Sequence, residues 1–206
     1  MTSPFPFILA SASPRRAALL EQLGIPFRVD PSHIPEDLLP GEPPEEHARR
    51  LSVAKAREVH GRHPDALVLA GDTVVVLDGR ILGKPRDSRD AVEMLLALSG
   101  RTHRVVSGLA LALPQGTVKA GTMTTEVTFR EFEPGLAEAY VATGEPMDKA
   151  GAYGIQGFGG ALVRGIKGDY NTVVGLPIPL LLDLLAEGGV HYVFGTLSPL
   201  SEEAPK

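Results

Sequence analysis

Asp72 stands between Gly71 and Thr73 inside a run that is otherwise apolar from Leu67 to Leu77. A carboxylate in such a strand must be paired or used, because an isolated charge is costly to remove from water. Two explanations fit: a working acid–base group facing a cleft, or a bulge whose carboxylate bonds backbone N–H groups. Lys55 poses the mirror problem. At about 3.6 residues per turn it falls with Ala48, Leu51 and Val59 on the apolar stripe of a helix, whereas Arg49, Arg50 and Arg57 lie elsewhere. A cation there either meets an anion or snorkels from the stripe's edge.

A third group sits near the start of the chain, where Phe7-Ile8-Leu9-Ala10 gives way to Ser11-Ala12-Ser13-Pro14-Arg15-Arg16. The pattern is a strand delivering hydroxyls and two guanidinium groups to the first turn of a helix. Ser13 suits the N-cap and Pro14 the first helical position, whose N–H would be unpaired anyway. Helix N–H groups, the Ser11 and Ser13 hydroxyls and the forks of Arg15 and Arg16 would then converge on a polyphosphate. The plainer alternative is a common strand-to-helix junction with solvated arginines.

Lys84, in Gly83-Lys84-Pro85, follows a strand that returns beside the Asp72 strand, so its ammonium would reach the same cleft; by itself the tripeptide is a turn. Glu36 lies in a Pro-rich connector, either as a solvated acid or as a metal ligand. Gln156, among Gly154, Gly157, Gly159 and Gly160, offers an amide donor and acceptor on a backbone able to approach a ligand closely, as a reader of a nucleobase would. Excess positive charge with few acids suits a highly anionic substrate, with Mg²⁺ or Mn²⁺ bridging carboxylate and phosphate oxygens. No Ser-His-Asp pattern competes, and the six histidines are scattered in mostly polar segments and read as exposed. A Gly-x-x-x-x-Gly-Lys-Ser/Thr phosphate loop does not occur, which excludes a Walker-type ATPase.

These residues need a frame to converge on. Leu19, Leu20 and Leu23 give the first helix a buried stripe that Gly24 ends, and a short strand follows over 26–29. The connector runs over 31–44, a helix over Pro44–His60 and a strand over Leu67–Leu77. Asp78-Gly79 turns the chain back through Arg80–Leu82. Ser88 caps a helix carrying Ala91, Met94, Leu95 and Leu98, with Gly100 as its stop. A long hairpin over 102–113 and Val118–Phe129, a helix over 134–143 and a glycine-dense loop over 147–157 come next. Residues 162–164 and Tyr170–Val174 read as a last strand pair and 179–186 as a helix, with a disordered tail over 196–206. Early strand–helix alternation followed by long hairpins predicts an α/β fold with a mixed twisted sheet, a single domain over 1–195. Two lobes flanking a central cleft are expected on a different ground, since they would bring the first corner, the central hairpin and the glycine loop around one site.

Composition narrows the functional classes. The chain has 206 residues, 43% of them apolar and 22% charged, which suffices for a real core. A net charge of −5 offers no basic footprint for a nucleic-acid polymer. With no cysteine there is no disulfide, thiolate nucleophile or Cys-ligated zinc, which fits a reducing compartment. No stretch reaches the ~20 apolar residues of a membrane span, and no Lys or Arg precedes the short N-terminal apolar patch as a secretion signal requires. The expectation is a cytoplasmic protein without membrane partners.

Leu9-Ala10-Ser11-Ala12-Ser13-Pro14-Arg15-Arg16, Gly71-Asp72-Thr73-Val74-Val75, Gly83-Lys84-Pro85, Leu98-Ser99-Gly100-Arg101-Thr102-His103 and Asp148-Lys149-Ala150-Gly151-Ala152-Tyr153-Gly154-Ile155-Gln156-Gly157 together resemble the Maf family of nucleoside triphosphate pyrophosphatases. The likeness keeps this order from about residue 7 to about residue 186. It implies a two-lobed fold similar to that of inosine triphosphate pyrophosphatases, and cleavage of a nucleoside triphosphate to the monophosphate and pyrophosphate. It also implies that Asp72 activates water, that Lys55 and Lys84 neutralise phosphates, and that Ser11 and Arg16 hold the phosphate chain. Arg15, Thr73 and Gln156 correspond to positions that select the base, and the combination resembles the dTTP/UTP branch. Relatives often carry paired acids in the connector; here Pro35 takes one of those places beside Glu36. The resemblance leaves two alternatives open: the same chemistry on CTP or 7-methyl-GTP, and a nucleotide-binding regulator of septum formation. Relatives are often homodimers, and nothing in the sequence contradicts a homodimer. An aspartate with a pKa near ~4 is a weak base for bulk water, so divalent-metal dependence is expected.

Overall fold

The computed structural model describes residues 5–199, and the apolar runs of the sequence become a seven-stranded mixed sheet. The chain begins with β1 (Phe7–Leu9), α1 (Pro14–Gln22), β2 (Arg28–Val29) and α2 (Pro44–His60). Then come β3 (Leu67–Leu77), its short return strand β4 (Arg80–Leu82), α3 (Ser88–Leu98), β5 (Thr102–Ala112) and β6 (Val118–Phe129). From α4 (Pro134–Ala142) the chain passes through three 3₁₀ turns, at Glu145–Asp148, Ala150–Ala152 and Gly157–Leu162. It continues as β7 (Val163–Lys167), α5 (Tyr170–Val174), α6 (Ile178–Glu187) and a hairpin of β8 (Val190–Val193) and β9 (Thr196–Pro199). The sheet runs β2-β1-β3-β5-β6-β7, with β4 paired to β3 farther along the flank that β1 also uses. Strand β1 is parallel to both neighbours and the other pairings are antiparallel. No helix among the described residues is long and apolar enough to cross a membrane.

The period-2 alternation of β3 sends its side chains into different layers. Leu67 and Leu69 pack with Leu19 and Leu20 of α1 and Leu181, Leu184 and Leu185 of α6. Farther along the same face, Val75 and Leu77 join Leu95 and Leu98 of α3 and Ala137, Tyr140 and Val141 of α4. The intervening residues Val68, Ala70, Val74 and Val76 lie with Ala48, Ala56 and Val59 of α2. A belt of hydroxyls parts the first two apolar clusters. Ser107 donates to the Thr172 carbonyl (2.7 Å), so the 2.8 Å contact between Thr73 and Ser107 is a bond donated by Thr73. That belt seats α5 on the sheet.

Several expectations from sequence are corrected. Residues Tyr170–Val174 are α5 and not a strand. The Asp169 carboxylate accepts from the Thr172 N–H (2.6 Å) and hydroxyl (2.8 Å), and Gly175 ends the helix with φ of 114°. Capping and the hydroxyl belt thus override the β-branched composition. The tail begins as a strand, because Thr196–Pro199 pairs with β8; residues 200–206 lie outside the described chain. Asp87, not Ser88, caps α3, accepting from the Asp90 N–H at 2.8 Å. His47 and His103 are buried, not exposed. His47 Nδ1 is 2.9 Å from Glu42 Oε2, and His103 Nε2 is 2.7 Å from the Tyr153 hydroxyl. Burial pushes the His103 pKa down to about 4 and so keeps that ring neutral at pH 7.

Candidate active site

On the flank away from β5, β3 pairs with β1 through Leu69 and with β4 only from Val75 onward. Between them, residues 70–74 have no strand neighbour on that side. The gap opens at the carboxyl end of a parallel strand, where α/β sheets characteristically place ligands. A cleft of about 380 Å³ occupies it. Ser11, Arg15, Arg16, Glu36, Lys55, Asp72, Thr73, Lys84 and Gln156 all line this cleft. Its lining holds five cations, with Lys149 added to the two arginines and two lysines, against the carboxylates of Glu36, Asp72 and Asp148.

Asp72 and Thr73 are adjacent, so they serve opposite faces of the sheet. On the α2 face, Lys55 Nζ donates to Asp72 Oδ1 at 2.8 Å, and both residues are buried, with 7% of each exposed. The same ammonium lies 2.6 Å from Glu36 Oε1, which ties the exposed connector to the cleft. A lysine on the apolar stripe of α2 thus meets the acid interrupting β3, and each charge answers the cost of burying the other. Asp72 Oδ2 has no partner among the described residues.

On the opposite face each nitrogen of the Arg16 guanidinium donates one bond to protein. Nη1 donates to Ser11 Oγ (2.9 Å), Nη2 to Thr73 Oγ1 (3.1 Å) and Nε to the Gly175 carbonyl (2.8 Å). Burial pushes the Arg16 pKa below its ordinary value; the Asp72 charge opposes that shift and Arg15 adds to it. Ser13 caps α1 as anticipated, its Oγ accepting from the Arg16 N–H at 3.4 Å. The fork of Arg16 therefore fastens the segment after β1, β3 and the end of α5 together while still lining the cleft. Lysine offers a single point charge in place of that fork. Arg16→Lys is expected to lower the unfolding free energy by about 1–3 kcal/mol, read from urea denaturation.

Arg15 points elsewhere: its Nη1 pairs with Asp148 Oδ2 at 3.2 Å, and Asp148 Oδ1 also holds Lys149 Nζ at 2.6 Å. This chain bridges the α1 corner to the glycine-rich segment across the cleft. Lys84 is exposed and has no partner among the described residues, so its ammonium is free for a ligand. Its turn is fixed by the Gly151 N–H donating to the Gly83 carbonyl (3.0 Å). Gly151 has φ of 68°, and a Cβ on it would lie 2.9 Å from a Val75 methyl, so this position needs glycine. Gln156 is exposed at the cleft's rim.

Sequence reasoning gave no role to Asp148, Lys149, Ser107 or Tyr153. Asp148 and Lys149 carried a signal, adjacent opposite charges entering a glycine-rich segment, but Arg15, which Asp148 also binds, is 133 positions away from it.

No group of three or more His, Cys, Asp or Glu suited to a metal occurs among the described residues. Asp72 and Glu36 nonetheless converge on one point, the Lys55 ammonium, and both are hard oxygen donors. Two carboxylates fit Mg²⁺ or Mn²⁺, which draw their other ligands from water and phosphate. Chemically, the cleft can hold a polyanion and offer a water molecule one carboxylate oxygen, Asp72 Oδ2, that no described residue occupies.

The profile described as Maf, Maf-like protein, matches residues 6–188. The dTTP/UTP pyrophosphatase of Moorella thermoacetica is 53% identical over 184 residues, covering 89% of this chain and 95% of that protein. The dTTP/UTP pyrophosphatase of Nitratidesulfovibrio vulgaris is 51% identical over 195 residues, covering 92% and 91%. Among solved structures, the nucleoside-triphosphatase, or dITP/XTP pyrophosphatase, of Mycobacterium abscessus aligns with a TM-score of 0.43 at 16% identity, covering 89% of this chain and 94% of that one. The Ham1 protein of Staphylococcus aureus aligns at 0.45 and 17% identity, covering 77% and 79%.

Proposed function

The chain belongs to the Maf family, and from that premise we propose that it hydrolyses dTTP and UTP to the monophosphate and pyrophosphate, with Asp72 as general base. The observation that carries the mechanism is the buried Asp72–Lys55 pair on the wall of a cation-rich cleft. Lys55 binds Oδ1 and fixes the carboxylate, so Oδ2 is the oxygen that takes the proton from the attacking water. Lys84 and Lys55 balance charge that builds on the phosphate oxygens as the α–β anhydride breaks. The departing pyrophosphate is already a good leaving group, so the protein's work is positioning, deprotonation and charge stabilisation. Ser11 and Arg16 form the floor under the phosphate chain, and Arg15, Thr73 and Gln156 are assigned to the nucleoside side.

Asp72 and Glu36 would hold Mg²⁺ or Mn²⁺, which supplies Lewis acidity to phosphate oxygens and water when bound. A panel of purine and pyrimidine triphosphates, assayed with and without added Mg²⁺ or Mn²⁺, tests the assignment through its product. Pyrophosphate from dTTP and UTP, lost on chelation, is the expected result. Orthophosphate alone, in the absence of a contaminating inorganic pyrophosphatase, would falsify cleavage at the α–β bond.

A further inference from the structure

Gln156 sits in a segment that has no long helix or strand to stiffen it, yet the chain on both sides of it is tied to one pair of side chains. Tyr140, near the end of α4, donates its hydroxyl to Glu145 Oε1 (2.9 Å) and accepts the Gly154 N–H (3.1 Å). Beyond Gln156, Glu145 Oε2 accepts the Phe158 N–H (3.0 Å) and Oε1 accepts the Gly159 N–H (3.1 Å). Residues 154–159 therefore form a bow whose two ends are fastened to a single phenol–carboxylate unit, with Gln156 near its middle.

The glycines make this approach possible. A Cβ on Gly157, where φ is 70°, would lie 2.7 Å from Glu145 Oε2. One on Gly159 would lie 2.6 Å from the Tyr140 hydroxyl and 2.3 Å from the Gly154 carbonyl oxygen. Burial works to raise the Glu145 pKa, but the Gly159 and Phe158 N–H groups and the Tyr140 hydroxyl outweigh it and hold the carboxyl below its ordinary range. Burial also pushes the Tyr140 phenol up, so it stays protonated and able to donate. The ties at Phe158 and Gly159 are thus charge-assisted bonds from backbone, stronger than the neutral bond from Gly154 to the phenol.

We propose that Tyr140 and Glu145 are positioning residues for nucleotide selection: by fastening both ends of the segment they hold the Gln156 amide where it reads the base. This rests on the base-reading role assigned to Gln156 above. Neither residue lines the cleft, so neither touches the substrate. Their effect passes through Gln156 and belongs to discrimination and KM, not to the chemical step.

The test compares steady-state kinetics on UTP and CTP for the wild type, Tyr140→Phe, Glu145→Gln, Gln156→Ala and the double variant Tyr140→Phe/Gln156→Ala. Tyr140→Phe is expected to raise KM for UTP and cut the UTP-over-CTP preference by about tenfold, with kcat changed less than about threefold. In the Gln156→Ala background the same substitution should change the preference little, since the two act as one unit. Glu145→Gln, which keeps the size and removes the charge, is the second variant should Tyr140→Phe not fold. Faster amide exchange at Gly154, Phe158 and Gly159 in the variants should accompany the lost preference. Equal loss of kcat/KM on both nucleotides, or additive effects with Gln156→Ala, overturns the inference and leaves the pair a structural tie. A wild type inactive on UTP and dTTP but active on another triphosphate overturns the pyrimidine assignment instead; the variants are then scored on that nucleotide against its poorest competitor, with the same two outcomes.

Discussion

Asp72→Asn is expected to release pyrophosphate from UTP at least about 1,000-fold more slowly than the wild type while still binding the nucleotide. Asparagine has the same shape, and its side-chain oxygen can keep the 2.8 Å bond from Lys55, so the position stays filled and the strand undisturbed. What disappears is the ability to take a proton. One negative charge also leaves a cleft that must receive a polyanion, so affinity measured without added metal, which Asp72 would otherwise help to hold, should hold or rise. The measurement pairs single-turnover pyrophosphate detection in the presence of Mg²⁺ with calorimetric titration of UTP in its absence, on protein whose thermal transition is checked first. Catalysis within tenfold of wild type would sink the assignment of Asp72 as base. Loss of both binding and the folded state would instead make the residue part of the scaffold.

The legible part of this site was written in conflicts between charge and pattern. Asp72 breaks an apolar run and Lys55 breaks an apolar stripe; each was a local anomaly that a sequence shows, and the fold joins them into one pair. The corner at Ser13 and Pro14 was legible for a related reason, since capping is decided by neighbours within one turn. What stayed hidden depends on partners remote in the chain. Arg16 reads as a free fork for phosphate until Gly175, 159 positions away, is found to accept from its Nε. His47 reads as exposed because its neighbours are charged, but Glu42 and Arg50 are charges it packs against: Glu42 is pulled to about 2 first by its bonds from Arg50 and then by His47, against the pull of burial. Tyr170–Val174 carries strand composition, and only the site into which Thr172 and Val174 are buried, with Asp169 as cap, makes it a helix. Glu145 shows no local anomaly in the sequence, and it is the tie of the Gln156 segment. The gap over residues 70–74 was illegible for the deepest reason: it is a consequence of two different strands, β1 and β4, sharing one flank of β3.

Gly108→Ala should do nearly as much damage as removing a reacting group, although Gly108 is not among the residues lining the cleft. Gly108 is the register partner of Asp72 on β5, and α2 crosses directly over it. A Cβ there would lie 2.5 Å from the Ala48 carbonyl oxygen, 2.6 Å from its carbon and 2.9 Å from Ser52 Oγ. Two of these are backbone atoms in the middle of a helix, so no rotamer change relieves the clash; α2 must lift or β5 must buckle. The same helix carries Lys55 two turns on, and its 2.8 Å bond to Asp72 does not survive such a shift. Overpacking of this kind costs about 1–3 kcal/mol of stability, and misplacing the Lys55–Asp72 pair by about 1 Å costs about 100-fold in kcat. Gly135→Ala on α4 is the matched control: nothing lies within 4 Å of its added Cβ, so it should be neutral or stabilise by up to about 1 kcal/mol through helix propensity. Chemical denaturation and pyrophosphate release, measured side by side, separate the two. A Gly108→Ala protein as stable and active as the Gly135→Ala control would show that α2 can sit higher on the sheet without breaking the Lys55–Asp72 pair, and the site's dependence on that close approach would be refuted.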